Sequence, residues 1–221
     1  MSLFLTGTDT GVGKTYTAVC LLRLARAAGL RCAGFKPICC GDRRDAELLL
    51  AASSEGLSID EVNPVWLKTP VAPFSAAWIE KVEIQPEQLT AGLAELQQRF
   101  DLVLVEGVGG WLVPIKRDYF VADLAKQMAL PVVVVALNRL GCLNHVMLTL
   151  RSVETSGLRC DGVVLNNANH SADVASATNE KILRKISKFP LLPMLSTDMA
   201  EFPIEWHPVV QHHTNATASV G

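Results

Sequence analysis

No stretch of this sequence is apolar for long enough to cross a bilayer: the run Leu130–Leu137 contains a proline and is far too short. Leu3-Phe4-Leu5 is too short for the core of a signal peptide and passes at once into polar residues. Charge of one sign is also missing. Twenty Lys and Arg against 22 Asp and Glu leave a net charge of −2 with no basic stripe, which argues against a nucleic-acid partner. Six cysteines occur, but none forms a Cys-x-x-Cys pair and no cysteine–histidine spacing resembles a zinc site. They are expected to be reduced thiols of a cytoplasmic protein. Aromatic residues are scarce, at 6%, in a chain that is 49% hydrophobic. Ala, Leu and Val dominate instead, which suits a parallel sheet packed between helices rather than a β-sandwich.

What is present alternates. Apolar runs at Leu3–Thr6, Arg31–Phe35, Leu102–Val105, Pro131–Leu137 and Gly162–Leu165 read as strands, and their lack of alternation predicts burial on both faces. Helical stretches lie between them: Lys14–Ala28, Asp45–Ser53, Pro86–Arg99, Val121–Met128, Asn144–Ser156 and Val174–Ile186. This rhythm predicts a doubly wound, mostly parallel α/β fold with helices on both faces, of the P-loop NTPase type. With no repeat or linker in view, residues 1–221 are expected to form a single domain. The Pro-rich stretch Asn63–Ala77 reads as an insertion over the sheet edge, and the tail from Pro203 as irregular and loose at its end.

The chemistry concentrates where strands end. Thr6-Gly7-Thr8-Asp9-Thr10-Gly11-Val12-Gly13-Lys14-Thr15 follows a strand and opens a helix. Gly11 and Gly13 permit a tight loop whose amides turn toward phosphate oxygens, Lys14 can reach the terminal phosphates, and the Thr15 hydroxyl can bind Mg²⁺. The strict pattern has glycine where Thr8 stands, so the loop is a variant. The strand Phe100–Val105 ends in Glu106, an acid able to hold Mg²⁺ against nucleotide phosphates, and Gly107-Val108-Gly109-Gly110 presents backbone to a ligand. Lys36-Pro37 leaves the second strand at the same edge as Lys14, and Asp45 opens the next helix. Taken alone, Lys36 reads as a solvated strand end and Asp45 as a helix-terminal acid. Asn166-Asn167 can serve an adenine edge or a turn. The helix start Gly141-Cys142-Leu143-Asn144 can receive a carboxylate, or Asn144 can simply cap it.

These segments, with Val105-Glu106-Gly107-Val108-Gly109-Gly110-Trp111-Leu112 and Leu140-Gly141-Cys142-Leu143-Asn144-His145, resemble the dethiobiotin synthase family in order across nearly the whole chain. The resemblance implies a cytoplasmic homodimer in biotin synthesis that converts 7,8-diaminononanoate, CO₂ and MgATP to dethiobiotin, ADP and phosphate. It implies that Gly11, Val12, Gly13, Lys14, Thr15 and Tyr16 cradle the phosphates and that Thr15, Asp45 and Glu106 bind Mg²⁺. Lys36 matches the catalytic lysine, with Lys14 beside it. Cys40 matches a substrate contact and Asn166, with Asn167, an adenine contact, while Glu106, Gly107, Val108 and Gly109 face nucleotide and substrate. Gly141, Cys142, Leu143 and Asn144 would bind the carboxylate tail of substrate held mainly by the other subunit.

Three departures from the family pattern stand out. Cys40 replaces the usual hydroxyl residue, Phe74 the usual histidine, and Pro193-Met194-Leu195-Ser196 the usual Gly-x-x-Pro run. Two rival readings follow. A partition-type ATPase switch would carry a signature lysine early in the loop, where Asp9 stands, and its membrane-binding members end in a basic amphipathic helix absent from this tail. A degenerate relative would bind nucleotide without turnover.

Overall fold

The strand segments alternate between two cores rather than between a core and water. The computed structural model describes residues 1–167, 174–195 and 198–211. Within them β1 (Ser2–Gly7) leads to α1 (Lys14–Ala27), β2 (Cys32–Phe35) and β3 (Ile38–Cys40). Next come α2 (Arg44–Ala52), α3 (Ile59–Val62), β4 (Val65–Leu67), α4 (Pro73–Glu80) and α5 (Pro86–Arg99). They are followed by β5 (Leu102–Glu106), β6 (Pro114–Lys116), β7 (Tyr119–Phe120), α6 (Val121–Met128), β8 (Val132–Leu137), α7 (Cys142–Thr155) and β9 (Cys160–Asn166). The last elements are α8 (Val174–Ile186), β10 (Leu191–Leu192), a 3-10 turn (Ile204–Trp206) and α9 (His207–Gln211).

Six strands pair in parallel in the order β10-β9-β8-β1-β5-β2. Successive side chains of a strand point to opposite faces. Thus Leu3 and Leu5, Leu102 and Leu104, and Val133 and Val135 join one core with α1, α2 and Trp206. Phe4, Val103, Val105, Val132 and Val134 join the other, with α5, α6 and α7. Burying one such side chain contributes about 1.5–3 kcal/mol, so a strand apolar on both faces gains from each layer of helices. Gly34 of β2 shows how close the layers come: a Cβ there would lie 2.8 Å from the Leu49 Cβ of α2.

The chain visits β2 and β5 on one side of β1 before crossing to β8 on the other. At such a reversal the loops at the carboxyl ends of neighbouring strands separate and leave a crevice. Gly7, Phe35, Glu106, Leu137 and Asn166 end their strands on that edge.

Three expectations need correction. The stretch from Asn63 is not merely an insertion: β4 pairs in parallel with β3, and Pro73 occupies the first turn of α4, where its missing N–H costs nothing. The helix read as Asn144–Ser156 begins at Cys142, with Gly141 at its N-cap and Asn144 inside the first turn. The segment beyond Pro203 is ordered as far as 211, with Trp206 fully buried and its Nε1 donating to the Pro193 carbonyl at 2.9 Å. The loose end expected of the tail falls within 212–221, outside the described residues.

Candidate active site

The loop from Thr8 to Gly13 turns tightly enough to aim its amides inward because two glycines take positive φ, Gly11 at 73° and Gly13 at 99°. Gly13 has a second reason. A Cβ there would meet Asn166 Nδ2 at 2.1 Å, and that amide donates to the Val12 carbonyl at 3.0 Å, so the far strand β9 braces the loop. Thr17 closes the other side, its hydroxyl and its amide both donating to the Gly13 carbonyl at 3.0 Å.

Lys14 is 6% exposed, and its ammonium donates to the Asp9 carbonyl at 3.0 Å. Burial, reinforced by the nearby charge of Lys36, pulls its pKa down to about 8. Lys36 is 3% exposed and lies between two acids, 2.5 Å from Glu106 Oε1 and 2.9 Å from Asp45 Oδ2, with the Gly107 carbonyl at 3.4 Å. Burial alone would lower its pKa. The facing carboxylates of Glu106 and Asp45 outweigh burial and hold the ammonium charged well above the ordinary lysine range. Burial would raise the Asp45 pKa, yet Lys36 and the Thr15 hydroxyl bring it below the usual carboxylate value.

Thr15 Oγ1 lies 2.9 Å from both Asp45 Oδ1 and Glu106 Oε1. One hydroxyl proton can serve only one of them. Glu106 is 1% exposed and its Oε2 is buried without a hydrogen-bond partner among the described residues. Three oxygen-bearing side chains meeting at one point, one with an orphaned acceptor, fit a hard divalent cation such as Mg²⁺.

These groups border a cleft of about 680 Å³. Gly11, Gly13, Lys14, Thr15, Lys36, Cys40, Asp45, Glu106, Val108 and Gly109 all line it, so ten residues singled out in the sequence converge. Residues 70–73 form the opposite wall. Cys40 is half-buried, and burial and Glu80 push its thiol up to about 11, so it faces the cleft as a neutral group.

Other expected residues sit elsewhere. Val12 is buried in the loop, and Tyr16 is 44% exposed on α1. Gly107 is tied to the sheet through its amide on the Leu5 carbonyl at 2.9 Å. Asn166 and Asn167 lie beyond the cleft, and Asn167 Oδ1 accepts from Asn138 Nδ2 at 2.7 Å. Gly141, Cys142, Leu143 and Asn144 do not border this cleft: they begin α7, with Gly141 and Asn144 exposed. Of the three departures, Phe74 is 39% exposed at the start of α4, and Leu195 is fully buried. Ser196 lies outside the described residues.

Sequence reasoning missed Asn63 and Asn138. Asn63 Nδ2 donates to the Lys36 carbonyl at 2.7 Å, although Asn63 was read as the start of an insertion. Asn138, 3% exposed, joins Asn167, the Ser176 carbonyl and Asn179. The Asn138 side chain lies at the end of an apolar run, a position that marks a sheet-edge residue but not its partners.

The AAA_26 family, described as an AAA domain, matches residues 1–198. The ATP-dependent dethiobiotin synthetase BioD of Akkermansia muciniphila is 41% identical over 191 residues, covering 86% of this chain and 90% of that protein. Its counterpart from Aromatoleum aromaticum is 42% identical over 197 residues, covering 86% and 87%. Among solved structures, the MinC:MinD cell division complex of Aquifex aeolicus superposes with a TM-score of 0.53 at 15% identity, covering 87% of this chain and 81% of that one. The septum site-determining protein MinD of Pyrococcus horikoshii, complexed with Mg-ADP, gives 0.51 at 15%, covering 88% and 82%. These two likenesses are of fold alone. At this identity to the synthetases, over most of both proteins, this chain belongs to the ATP-dependent dethiobiotin synthetase family.

Proposed function

We propose that this protein uses MgATP to carboxylate 7,8-diaminononanoate and close the cyclic urea of dethiobiotin, a step of biotin biosynthesis. The observation that carries the reading is the meeting of Lys14, Lys36, Thr15, Asp45 and Glu106 at one cleft, in a chain whose relatives bear the synthetase name.

One amine of the substrate captures CO₂ as a carbamate, a carbamate oxygen attacks the γ-phosphorus in line, and the second amine attacks the mixed anhydride and expels phosphate. No step demands a nucleophile from the protein. What must be stabilised is charge on phosphoryl and carbamate oxygens, and two buried lysines bordering the cleft supply positive charge there. Lys14 must leave the Asp9 carbonyl to reach phosphate, and an arriving polyanion favours its charged form. Mg²⁺ held by Thr15, Asp45 and Glu106 would neutralise phosphate oxygens. Lys36 would stabilise the charge where carbamate and γ-phosphate meet, and Cys40, on the same cleft, would contact the diamine. Asn166 and Asn167 would stand at the adenine end.

The location of Gly141–Asn144 outside the cleft supports a homodimer in which the α7 start of one subunit receives the carboxylate tail of substrate bound by the other. The chain is read as one domain acting in the cytoplasm; among the described residues no helix is long and apolar enough to cross a membrane. The test is direct: incubate the protein with MgATP, bicarbonate and diaminononanoate and look for dethiobiotin by mass. Phosphate release should require the diamine and the CO₂ source together. Brisk ATP hydrolysis without the diamine, stimulated by DNA or lipid, would overturn the reading in favour of a partition-type ATPase.

A further inference from the structure

Lys36 stands one residue past the end of β2, where the ladder to β5 has ended. The following residue is Pro37, which has no N–H to give. Something else must hold the lysine's backbone if its ammonium is to stay between Asp45 and Glu106. We propose that Asn63 is the positioning residue for Lys36, its buried amide fixing the lysine backbone and, through Arg43, coupling it to the helix that carries Asp45.

Asn63 is fully buried. Its Nδ2 donates to the Lys36 carbonyl at 2.7 Å and to the Val65 carbonyl at 3.0 Å. Its Oδ1 accepts from Arg43 Nε at 2.9 Å. Both N–H groups and the oxygen are therefore used, and a flipped amide would set oxygen against two carbonyls and N–H against a guanidinium. The adjacent residue completes the grip: the Lys36 amide donates to the Val62 carbonyl at 2.7 Å. Arg43 also donates from Nη2 to the Asn63 carbonyl at 2.6 Å and lies 5.1 Å over the Trp66 ring. Arg43 is the N-cap of α2, two residues before Asp45. One side chain thus joins the two segments whose charged tips meet at Lys36 Nζ and Asp45 Oδ2. Asn63 does not itself line the cleft, so it acts through Lys36.

The inference rests on the reading of Lys36 as the group that stabilises developing charge. Asn63→Asp is nearly isosteric, keeps an acceptor for Arg43 and deletes both N–H groups. Turnover should fall about 10–100-fold, with the KM for ATP moving less than about threefold. In a Lys36→Gln background the same change should cost less than about threefold, because its effect is carried by the absent ammonium. Arg43→Lys keeps the charge but loses the fork, and should lower turnover about 3–10-fold with a fold retained even where Asn63→Asp does not fold. Labelling of Lys36 by an amine-reactive ester, read by peptide mass spectrometry against exposed Lys181, should rise several-fold in either variant. Unchanged turnover, or losses that add fully in the double variant, overturns the assignment. If the wild type makes no dethiobiotin, the functional reading fails by itself, and unchanged Lys36 labelling then overturns the positioning role.

Discussion

At the residue scale the site is a balance of two buried lysines against two acids, and its members do different work. Lys36 is held charged by Glu106 and Asp45, so Lys36→Gln removes a fixed charge and leaves a neutral polar group one atom shorter. We expect turnover to drop roughly 10²–10³-fold while circular dichroism shows an intact fold; unchanged turnover would reduce the lysine to a structural ion pair. Cys40 presents a neutral thiol to the cleft, and a thiol is a weak hydrogen-bond partner. Cys40→Ser should therefore keep or improve affinity for the diamine, measured as KM, and a large loss would assign the sulfur a role of its own. The phosphate loop and Glu106 were legible in the sequence because a strand end fixes where each must emerge, whereas Lys36, alone an ordinary solvated strand end, took its role from the family pattern. Asp45 was legible as a ligand only through the family pattern, since an acid two residues into a helix is ordinary. Asn63 was illegible for a physical reason: an amide hydrogen bond to backbone 27 residues away leaves no spacing in the chain.

At the element scale the long strands and helices were legible, and the short pieces were not. β3, β4, β6 and β7 are two or three residues each, too few for a period to register, and each exists through pairing with another, β3 with β4 and β6 with β7. Helix α3 is only four residues long, yet it leads into Asn63. A reciprocal cap between Ser58 and Glu61 holds it, and Glu61 also pairs with Arg99 of α5. The hydrogen bond from Arg99, followed by those from Ser58, lowers the Glu61 pKa to about 2. A depressed carboxylate contributes stability that is present above its unfolded pKa and lost as pH falls through its folded one. Glu61→Gln keeps the cap and removes the charge. With the pair over a third exposed and screened, the loss at pH 7 should be no more than about 1 kcal/mol. That difference should shrink between pH 4.5 and 2 in urea denaturation series, and one that persists at pH 2 would place the effect elsewhere. The C-terminal elements make a stronger claim. Trp206→Ala empties a fully buried site and should cost about 3–5 kcal/mol, whereas a loss below about 1 kcal/mol would mean the segment frays from the sheet.

At the scale of the whole molecule, the proposal of a site drawn from two chains is tested by mixing. Lys36→Gln and Gly141→Asp should each be inactive alone. After subunit exchange about half the dimers are mixed, each with one site carrying both defects and one carrying neither, so roughly a quarter of wild-type activity should return. Confirmed exchange without recovery would place both elements in the same subunit's site. The brace from Asn166 to Val12 has its own consequence, because the two residues are 154 positions apart. A nascent chain carries the glycine loop well before it carries the strand that braces it, which follows 154 residues later. Until β9 docks beside β8, the loop lacks the partner that seats Gly13, so nucleotide can assist only the closing stage of folding. Added MgATP should accordingly slow unfolding while leaving the early refolding phases at their unliganded rates.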